Sequence, residues 1–232
     1  GGVLADQIIQ DGGIHYNIDL KSKDIFSFIP RTYALYKILK KIKPNVIHIH
    51  SRVPAWMIYY ANKKLNIPTI ASIHGFNHKS IYSKIMTKFD CTVCVSKSVK
   101  KYIVNAYNLN KNKVEVIHCG VDKNKFSENK LNEDDIKNLI KTFDLKNKYI
   151  ISTIGRFSSL KNFETFIKAI EINCKKNSDV VGLIVGYIPK KDKYYRKIKN
   201  LILQKNLSNK IHIITSQYDI CSVYKLSNIV VS

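Results

Sequence analysis

The sequence predicts an α/β protein of two domains, each built around a parallel sheet. Two observations predict this class. Short apolar runs alternate with amphipathic stretches, and one polar stretch over 122–147 interrupts the alternation. The simplest interpretation places a first domain over 1–121 and a second domain over 148–232. The interval 122–147 is then expected to be a connector that carries one helix.

Strands are predicted wherever a short apolar run occurs. The first domain contributes HYNI, NVIHIH, IPTIASIH, DCTVCV and VEVIHC, and the second contributes KYIISTIG, VVGLIVG, KIHIIT and NIVV. Between them, amphipathic helices carry apolar residues at helical spacing, which are expected to face the core. The three clearest stripes are Leu35, Ile38, Leu39 and Ile42; Val99, Tyr102, Ile103, Ala106 and Tyr107; and Phe163, Phe166, Ile167, Ile170 and Cys174. In the connector, Asn132 is the expected N-cap of a helix whose first turn is acidic.

The composition is that of a soluble globular protein, with 45% apolar and 24% charged residues. No apolar run approaches the roughly 20 residues of a membrane-spanning helix, and the first residues do not resemble a secretory signal. The five cysteines are an odd number and mostly lie in apolar runs, which indicates a reducing cytoplasm. Cys91 and Cys94 form a C-x-x-C, but a strand would point them to opposite faces, which argues against a metal or redox role.

The formal net charge is +22, large enough to attract nucleic acid, anionic lipid or a polyphosphate substrate. Heavy use of lysine, asparagine and isoleucine throughout the chain explains the same charge without any ligand, and both explanations stay open. The sequence has no helix-turn-helix, zinc-finger or RNP signature, so nucleic acid is not an expected partner.

The stretch GRFSSLKN is a candidate phosphate site. Gly155 and Arg156 come at the end of an apolar strand, and Lys161 stands where the next helix is expected to begin. Ligands bind at this carboxyl edge of open α/β sheets, and an arginine fork beside a mobile lysine suits a diphosphate. The alternative is that both cations are solvated surface residues. No G-x-G-x-x-G and no P-loop motif is present to explain the site differently.

Six stretches occur in a fixed order along nearly the whole chain. They are NVIHIHSRVPAW, PTIASIHGF, CVSKSVKKYI, VEVIHCGVD, GRFSSLKN and DICSVYKLSNIVVS. Together they resemble the landmarks of glycosyltransferase family 4 in the GT-B superfamily. The resemblance implies two Rossmann-like domains that face each other across a cleft, with a nucleotide-sugar bound between them. It also implies a retaining transferase of the hexosyltransferase type that needs no metal cofactor.

The resemblance assigns a role to individual residues. The implied catalytic residues are Arg156 and Lys161, which would hold the donor diphosphate in place of a metal, and His74, which would lie near the transferred sugar. The other implied contacts are His50, Ser51 and Arg52 on the acceptor side and Gly75, Gly155, Gly186, Ser216 and Gln217 around the donor. Zinc ligation by His48, His50, His74 and His78 is an alternative, but no cysteine or carboxylate spacing supports it.

The function implied by the resemblance is transfer of a sugar from a nucleotide-sugar to a glycan or lipid-linked acceptor. The expected setting is cell-envelope polysaccharide or lipopolysaccharide biosynthesis in the cytoplasm, with peripheral contact to an anionic membrane. The basic residues expected to make that contact are Lys63, Lys64, Lys79, Lys84, Lys88, Lys97, Lys100 and Lys101.

The sequence departs from the family pattern at both ends. Only 45 residues precede the VIHIH strand, and the family's Glu-x7-Glu motif, expected after the late strand, is absent. Both domains are therefore expected to be incomplete. The alternative function is a non-catalytic fragment or decayed copy of such an enzyme.

Overall fold

The computed structural model of the chain describes residues 3–19, 24, 26–124, 126, 131–187, 193–214 and 219–232. The chain forms two compact units, Gly1–Val121 and Asp122–Ser232. Within the described residues, each unit has its own parallel sheet of four strands with helices packed on it.

The first unit has strands in the order β1-β2-β3-β4, so each strand pairs in parallel with the next one along the chain. The strands are β1 (Ile47–Ile49), β2 (Thr69–Ile73), β3 (Cys91–Cys94) and β4 (Val114–Val116). The helices are α1 (Val3–Gln10), α2 (Phe28–Ile42), α3 (Arg52–Ala61), α4 (Ile81–Lys84) and α5 (Lys97–Tyr107). Four of the five strands predicted for this part of the chain are thus confirmed.

The predicted strand at HYNI is wrong. Residues 15–18 have no regular secondary structure, and no described strand pairs with them. Of this segment only Ile18 packs on the buried core, while Ile14 and Tyr16 are exposed. A strand is stable only where a neighbour satisfies its N–H and C=O groups, and alternating apolar residues alone do not supply that neighbour.

Helix starts in the first unit follow from local side-chain caps. Ser96 accepts a hydrogen bond from the Val99 N–H and so caps α5, and Ser80 caps α4 by accepting from the Ser83 N–H. The predicted stripe of α5 is buried at Val99 and Ile103, which belong to the same core cluster as Ile49 and Met57. The sheet and its helices therefore share one core, and the carboxyl ends of the strands are left at one edge of the sheet.

The second unit has strands in the order β7-β6-β5-β8, all parallel. The strands are β5 (Tyr149–Ile154), β6 (Val180–Val185), β7 (Ile211–Ile214) and β8 (Ile229–Val231), and all four were predicted. The helices are α6 (Glu133–Phe143), α7 (Phe163–Lys176), α8 (Lys193–Gln204) and α9 (Ile220–Leu226). Strand β6 is buried along its whole length because helices cover both of its faces.

The two faces of β6 pack on different helices. Val180 and Ile184 join a cluster with Phe166 and Ile170 of α7, and Ile198 of α8 belongs to the same cluster. Val181, Leu183 and Val185 point the other way and join a cluster with residues of α6 and α9. This alternation is the period of two expected of a strand with both faces buried.

Helix α6 belongs to the second of these clusters. Its Leu139 is fully buried, and Asn132 caps its start by accepting hydrogen bonds from the Asp134 and Asp135 N–H groups. The predicted cap is therefore confirmed. Although most of the interval 122–147 is polar, it supplies a packed helix to the second unit.

Candidate functional site

The first unit brings two of the predicted site histidines together at the carboxyl edge of its sheet. His50 directly follows β1 and His74 directly follows β2, and these strands are neighbours. Nδ1 of His50 lies 3.0 Å from Nε2 of His74, and the two rings are nearly parallel at an angle of 18°. One nitrogen must donate and the other accept, so the pair requires at least one neutral ring.

A third histidine, His48, packs against His50 of this pair. The ring centroid of His48 lies 4.1 Å from that of His50, and its Nε2 is 2.7 Å from the Ser72 hydroxyl. Burial lowers the pKa of His50, and the neighbouring His48 and His74 lower it further. The neutral form of His50 is therefore favoured, which supplies the neutral ring that the hydrogen bond to His74 needs.

Gly75 and Ser51 flank the histidine pair. A Cβ built on Gly75 would meet no atom within 4 Å, so packing inside the unit does not require glycine there. The Ser51 hydroxyl caps no N–H group of α3, although its carbonyl oxygen accepts from the Ala55 N–H. Both positions therefore leave room for a ligand at this edge.

Arg52 is engaged elsewhere. Its Nη1 donates to the Ser83 hydroxyl over 3.1 Å, and its guanidinium lies 5.3 Å from the centre of the Tyr82 ring. These contacts tie the start of α3 to α4. In this conformation Arg52 is a packing residue of the first unit.

The second unit places Arg156 and Lys161 at the carboxyl end of β5. Phe157, between them, is buried and packs its ring against Phe163 and Tyr195, which anchors the turn. Arg156 and Lys161 are exposed. The turn is thus anchored in the core by Phe157 while it presents both cations to solvent.

Gly155 allows the Lys161 side chain to pass close to the backbone. A Cβ built on Gly155 would lie 2.8 Å from Cε and 3.0 Å from Cδ of Lys161. The aliphatic stem of Lys161 therefore lies across Gly155, at the end of the strand that also leads into Arg156. Any other residue at position 155 would push this stem away.

Gly186 is required for a different reason. A Cβ built on it would lie 1.8 Å from the carbonyl oxygen of Gly155, which is too close for any side chain to occupy. The ends of β5 and β6 come this close because the Gly155 N–H donates to the Val185 carbonyl oxygen over 2.9 Å. Gly186 thus shapes the edge on which Gly155 and Lys161 lie.

Two sequence profiles match this chain. The profile described as Glycosyltransferase Family 4 covers residues 8–125, and the one described as Glycosyl transferases group 1 covers residues 135–232. The chain belongs to Glycosyltransferase Family 4.

The family 4 chain is similar to one named relative in sequence and to solved structures in fold. The UDP-Gal:alpha-D-GlcNAc-diphosphoundecaprenol alpha-1,3-galactosyltransferase of Escherichia coli is 28% identical over 226 residues, which cover 90% of this chain and 56% of the relative. A crystal structure of a glycosyltransferase from Rickettsia africae is 28% identical with a TM-score of 0.79, covering 100% of this chain and 62% of that one. Anabaena Alr3699/HepE in complex with UDP and glucose has a TM-score of 0.81 at 15% identity, covering 99% of this chain and 63% of that one. The predicted fold class is confirmed, and the family 4 chain spans a little over half the length of these relatives.

Some features of the family 4 chain bear on other sequence-based expectations. Ser216 and Gln217 lie outside the described residues. All five cysteines are free thiols, and burial raises the pKa of Cys94. Among the described residues, no three His, Cys, Asp or Glu side chains are grouped so that they could hold a metal ion. No helix in the same ranges is long and apolar enough to cross a membrane.

Sequence reasoning missed a polar network at the start of α7. The Tyr194 hydroxyl accepts from the Phe163 N–H over 3.0 Å and donates to the Glu164 carboxylate, which Lys197 also contacts at 2.8 Å. Burial first, and then the hydrogen bond to the Glu164 carboxylate, raise the pKa of Tyr194 to about 12. Tyr194 is 30 residues from Glu164 and has no motif of its own, so no sequence signal connects them.

Proposed function

We propose that this chain is a cytoplasmic glycosyltransferase that moves a sugar from a nucleotide-sugar to a glycan or lipid-linked acceptor in cell-envelope polysaccharide or lipopolysaccharide biosynthesis. The observation that carries the proposal is the arrangement at the end of β5. There the stem of Lys161 crosses Gly155 beside Arg156, and both cations are exposed. An arginine fork and a mobile lysine at the carboxyl end of a parallel strand suit a diphosphate.

The proposed chemistry follows from where charge develops. Breaking the bond between sugar and nucleotide leaves a diphosphate, and its negative charge grows as the bond lengthens. Cations placed to meet that charge stabilise the transition state more than the ground state. We assign this role to Arg156 and Lys161, in place of a divalent metal.

His74 is proposed to contact the transferred sugar. It ends β2 beside the open space at Gly75, and its Nε2 is held by His50. An imidazole fixed in orientation by a hydrogen bond is suited to binding a sugar hydroxyl. His50 and Ser51 are proposed to form the neighbouring acceptor side.

The named relatives support the substrate classes. The Escherichia coli relative takes its sugar from UDP-Gal and acts on a diphosphoundecaprenol-linked acceptor, as its name states. Anabaena Alr3699/HepE was solved with UDP and glucose and with UDP-glucose. We therefore propose a uridine nucleotide as donor carrier and a lipid diphosphate as acceptor carrier, with the chain in peripheral contact with the inner face of the membrane.

The test is a transfer assay on the chain as it is. A panel of UDP- and GDP-sugars is incubated with a GlcNAc-diphospholipid acceptor, and acceptor-dependent release of UDP or GDP is measured. Arg156→Ala and Lys161→Ala should each lower the rate at least about a hundredfold, a loss of the size that removal of one transition-state contact produces. Lys199→Ala, which removes an exposed lysine of α8, should leave the rate unchanged. Nucleotide binding without turnover on any donor would contradict the proposal and favour a non-catalytic binding module.

A further inference from the structure

A groove runs between α2 and α3 on the first unit, and its lining includes none of the histidines described above. Its volume is about 660 Å³. The residues that define this α2–α3 groove are Phe28, Ile29, Tyr33 and Tyr36 of α2, Tyr60 of α3, and Lys63 and Lys64 just beyond α3. Most of this lining is aromatic or aliphatic.

Several apolar side chains that line the groove are exposed and do not contribute to the core of the unit. Helix α2 buries only Leu35 and Leu39 fully, whereas Ile29 is 75%, Tyr33 is 56% and Tyr60 is 47% exposed. Large apolar side chains grouped in one exposed patch mark an interaction surface. The α2–α3 groove therefore has the character of a docking site.

The charge around the groove identifies the kind of partner. Lys63 and Lys64 line the groove itself. Residues 25–89 include eleven lysines and arginines and neither aspartate nor glutamate, and the acidic residues just before this range, Asp19 and Asp24, contact Arg31 and the Ser27 N–H at the start of α2. Lys63 lies 5.2 Å from the centre of the Tyr60 ring, and Lys37 lies 4.7 Å from that of Tyr33. A partner must therefore be apolar where it enters the groove and anionic where it meets the rim. A second copy of this chain fails this requirement because it carries the same positive charge.

Each of the two exposed tyrosine rings already has an aromatic ring and a lysine as neighbours. Tyr33 stacks on Tyr36 and is covered by Lys37, while Tyr60 stacks on Trp56 and is covered by Lys63. Nucleobases bind such residues by stacking on open ring faces, so these contacts disfavour a nucleic acid in the groove. Tyrosine, tryptophan and lysine together are instead the residues enriched where proteins meet the boundary between lipid and water.

We infer that the α2–α3 groove docks on an anionic phospholipid bilayer, with an acyl chain entering the groove and the rim lysines contacting lipid phosphates. The inference deepens the proposed function and rests on it, because a lipid-linked acceptor would be met at this surface. The membrane contact expected from lysines spread along the first domain is thereby assigned to one surface, which has both apolar and basic residues.

The chain carries its own reporter for this contact. Trp56 is the only tryptophan, and its ring centroid lies 6.2 Å from that of Tyr60 in the groove. The vesicles are phosphatidylcholine with about 30% phosphatidylglycerol, which makes them moderately anionic. The phosphatidylglycerol is brominated on its acyl chains, so these vesicles should quench Trp56 fluorescence when the groove docks on them. Vesicles of phosphatidylcholine alone should quench it much less.

Variants separate the groove from general charge attraction. Ile29→Gln, and the pair Lys63→Gln with Lys64→Gln, should each weaken vesicle binding about tenfold. Ile81→Gln, at an equally exposed isoleucine of the same unit, and the pair Lys175→Gln with Lys176→Gln in the second unit are the matched controls. Both controls should bind vesicles within about twofold of the parent.

Three results would overturn the inference. One is a loss of vesicle binding that is equal in the groove variants and their controls. Another is absence of Trp56 quenching by the brominated vesicles. The third is displacement of the vesicles by single-stranded RNA with the same dependence on Ile29, which would make nucleic acid the occupant. The groove variants should bind UDP with the affinity of the parent. UDP binding therefore distinguishes a failure of this inference from a failure of the proposed function.

Discussion

Nδ1 of His50 and Nε2 of His74 lie 3.0 Å apart across the ends of two neighbouring parallel strands. Burial, followed by the charges of His48 and His74, lowers the pKa of His50 below its ordinary 6.5. A depressed histidine pKa means that the unfolded chain binds the proton more readily. The contribution of His50 to stability is therefore complete above about pH 6.5 and is lost as the pH falls through its folded pKa.

This predicts a pH dependence that a substitution removes. Unfolding by denaturant, followed between pH 7.5 and 5, should show a smaller loss of stability in His50→Gln than in the parent. Imidazole nitrogen NMR on the parent should place the His50 titration below that of a free histidine. A His50 that titrates at or above 6.5, or a variant with the parent's pH dependence, would refute the account of this pair.

Gly186 and Gly75 should respond differently to alanine. Gly186→Ala sets a Cβ 1.8 Å from the Gly155 carbonyl oxygen, so the ends of β5 and β6 must separate and stability should fall by about 3 kcal/mol. Gly75→Ala meets no atom within 4 Å and should change stability by less than about 0.5 kcal/mol. Denaturant unfolding of both variants is the measurement. Equal losses at the two positions would show that the close approach at Gly186 is not as described.

Tyr194→Phe should destabilise the start of α7. The change leaves the Phe163 N–H without its partner and removes the hydrogen bond to Glu164, a loss of about 2 kcal/mol. The raised pKa of Tyr194, about 12, means that its contribution is complete below the unfolded value near 10 and is lost as the pH rises through 12. The gap in stability between parent and variant should therefore be constant from pH 7 to 9 and shrink above pH 10. Tyr149→Phe, at an exposed tyrosine of the same unit, is the control, and a gap that widens at high pH would contradict the assignment.

Asn132→Ala should weaken α6. The side chain of Asn132 accepts from two N–H groups at the helix start, and loss of such a cap costs about 1 kcal/mol. Asn138→Ala, at an exposed position in the middle of the same helix, should be neutral or slightly stabilising because alanine has the higher helix propensity. Thermal unfolding of both variants measures the difference. A cap variant as stable as the parent would show that α6 does not depend on Asn132.

Sequence patterns predicted the elements of this fold where local physics decides them. Strands such as β6 are continuous apolar runs between polar segments, and the cap at Asn132 is a local hydrogen bond. The failure at HYNI has the opposite cause, since a strand depends on a partner that no local pattern reveals. Residues over 15–18 alternate as a strand would, yet no described strand pairs with them.

For the candidate site, too, the sequence indicated individual residues but not the contacts between distant segments. Sequence and family resemblance indicated Arg156, Lys161 and His74, because each follows a recognisable strand. They did not reveal that Gly186 is required by the backbone of Gly155, that His50 holds His74, or that Arg52 is engaged with Ser83. These relationships join segments 24 or more residues apart and depend on distances of a few ångströms.

Arg156 and Lys161 are proposed to hold the terminal phosphate of a nucleoside diphosphate, and calorimetric titration with UDP and UMP distinguishes this role from that of solvated surface cations. The parent should bind UDP about tenfold or more tightly than UMP, because charge-assisted hydrogen bonds to the second phosphate add to affinity. Arg156→Ala and Lys161→Ala should each reduce that ratio, and the double variant should abolish it, while Lys199→Ala keeps it. Equal affinity of the parent for UDP and UMP, or a ratio that survives in the double variant, would contradict the claim.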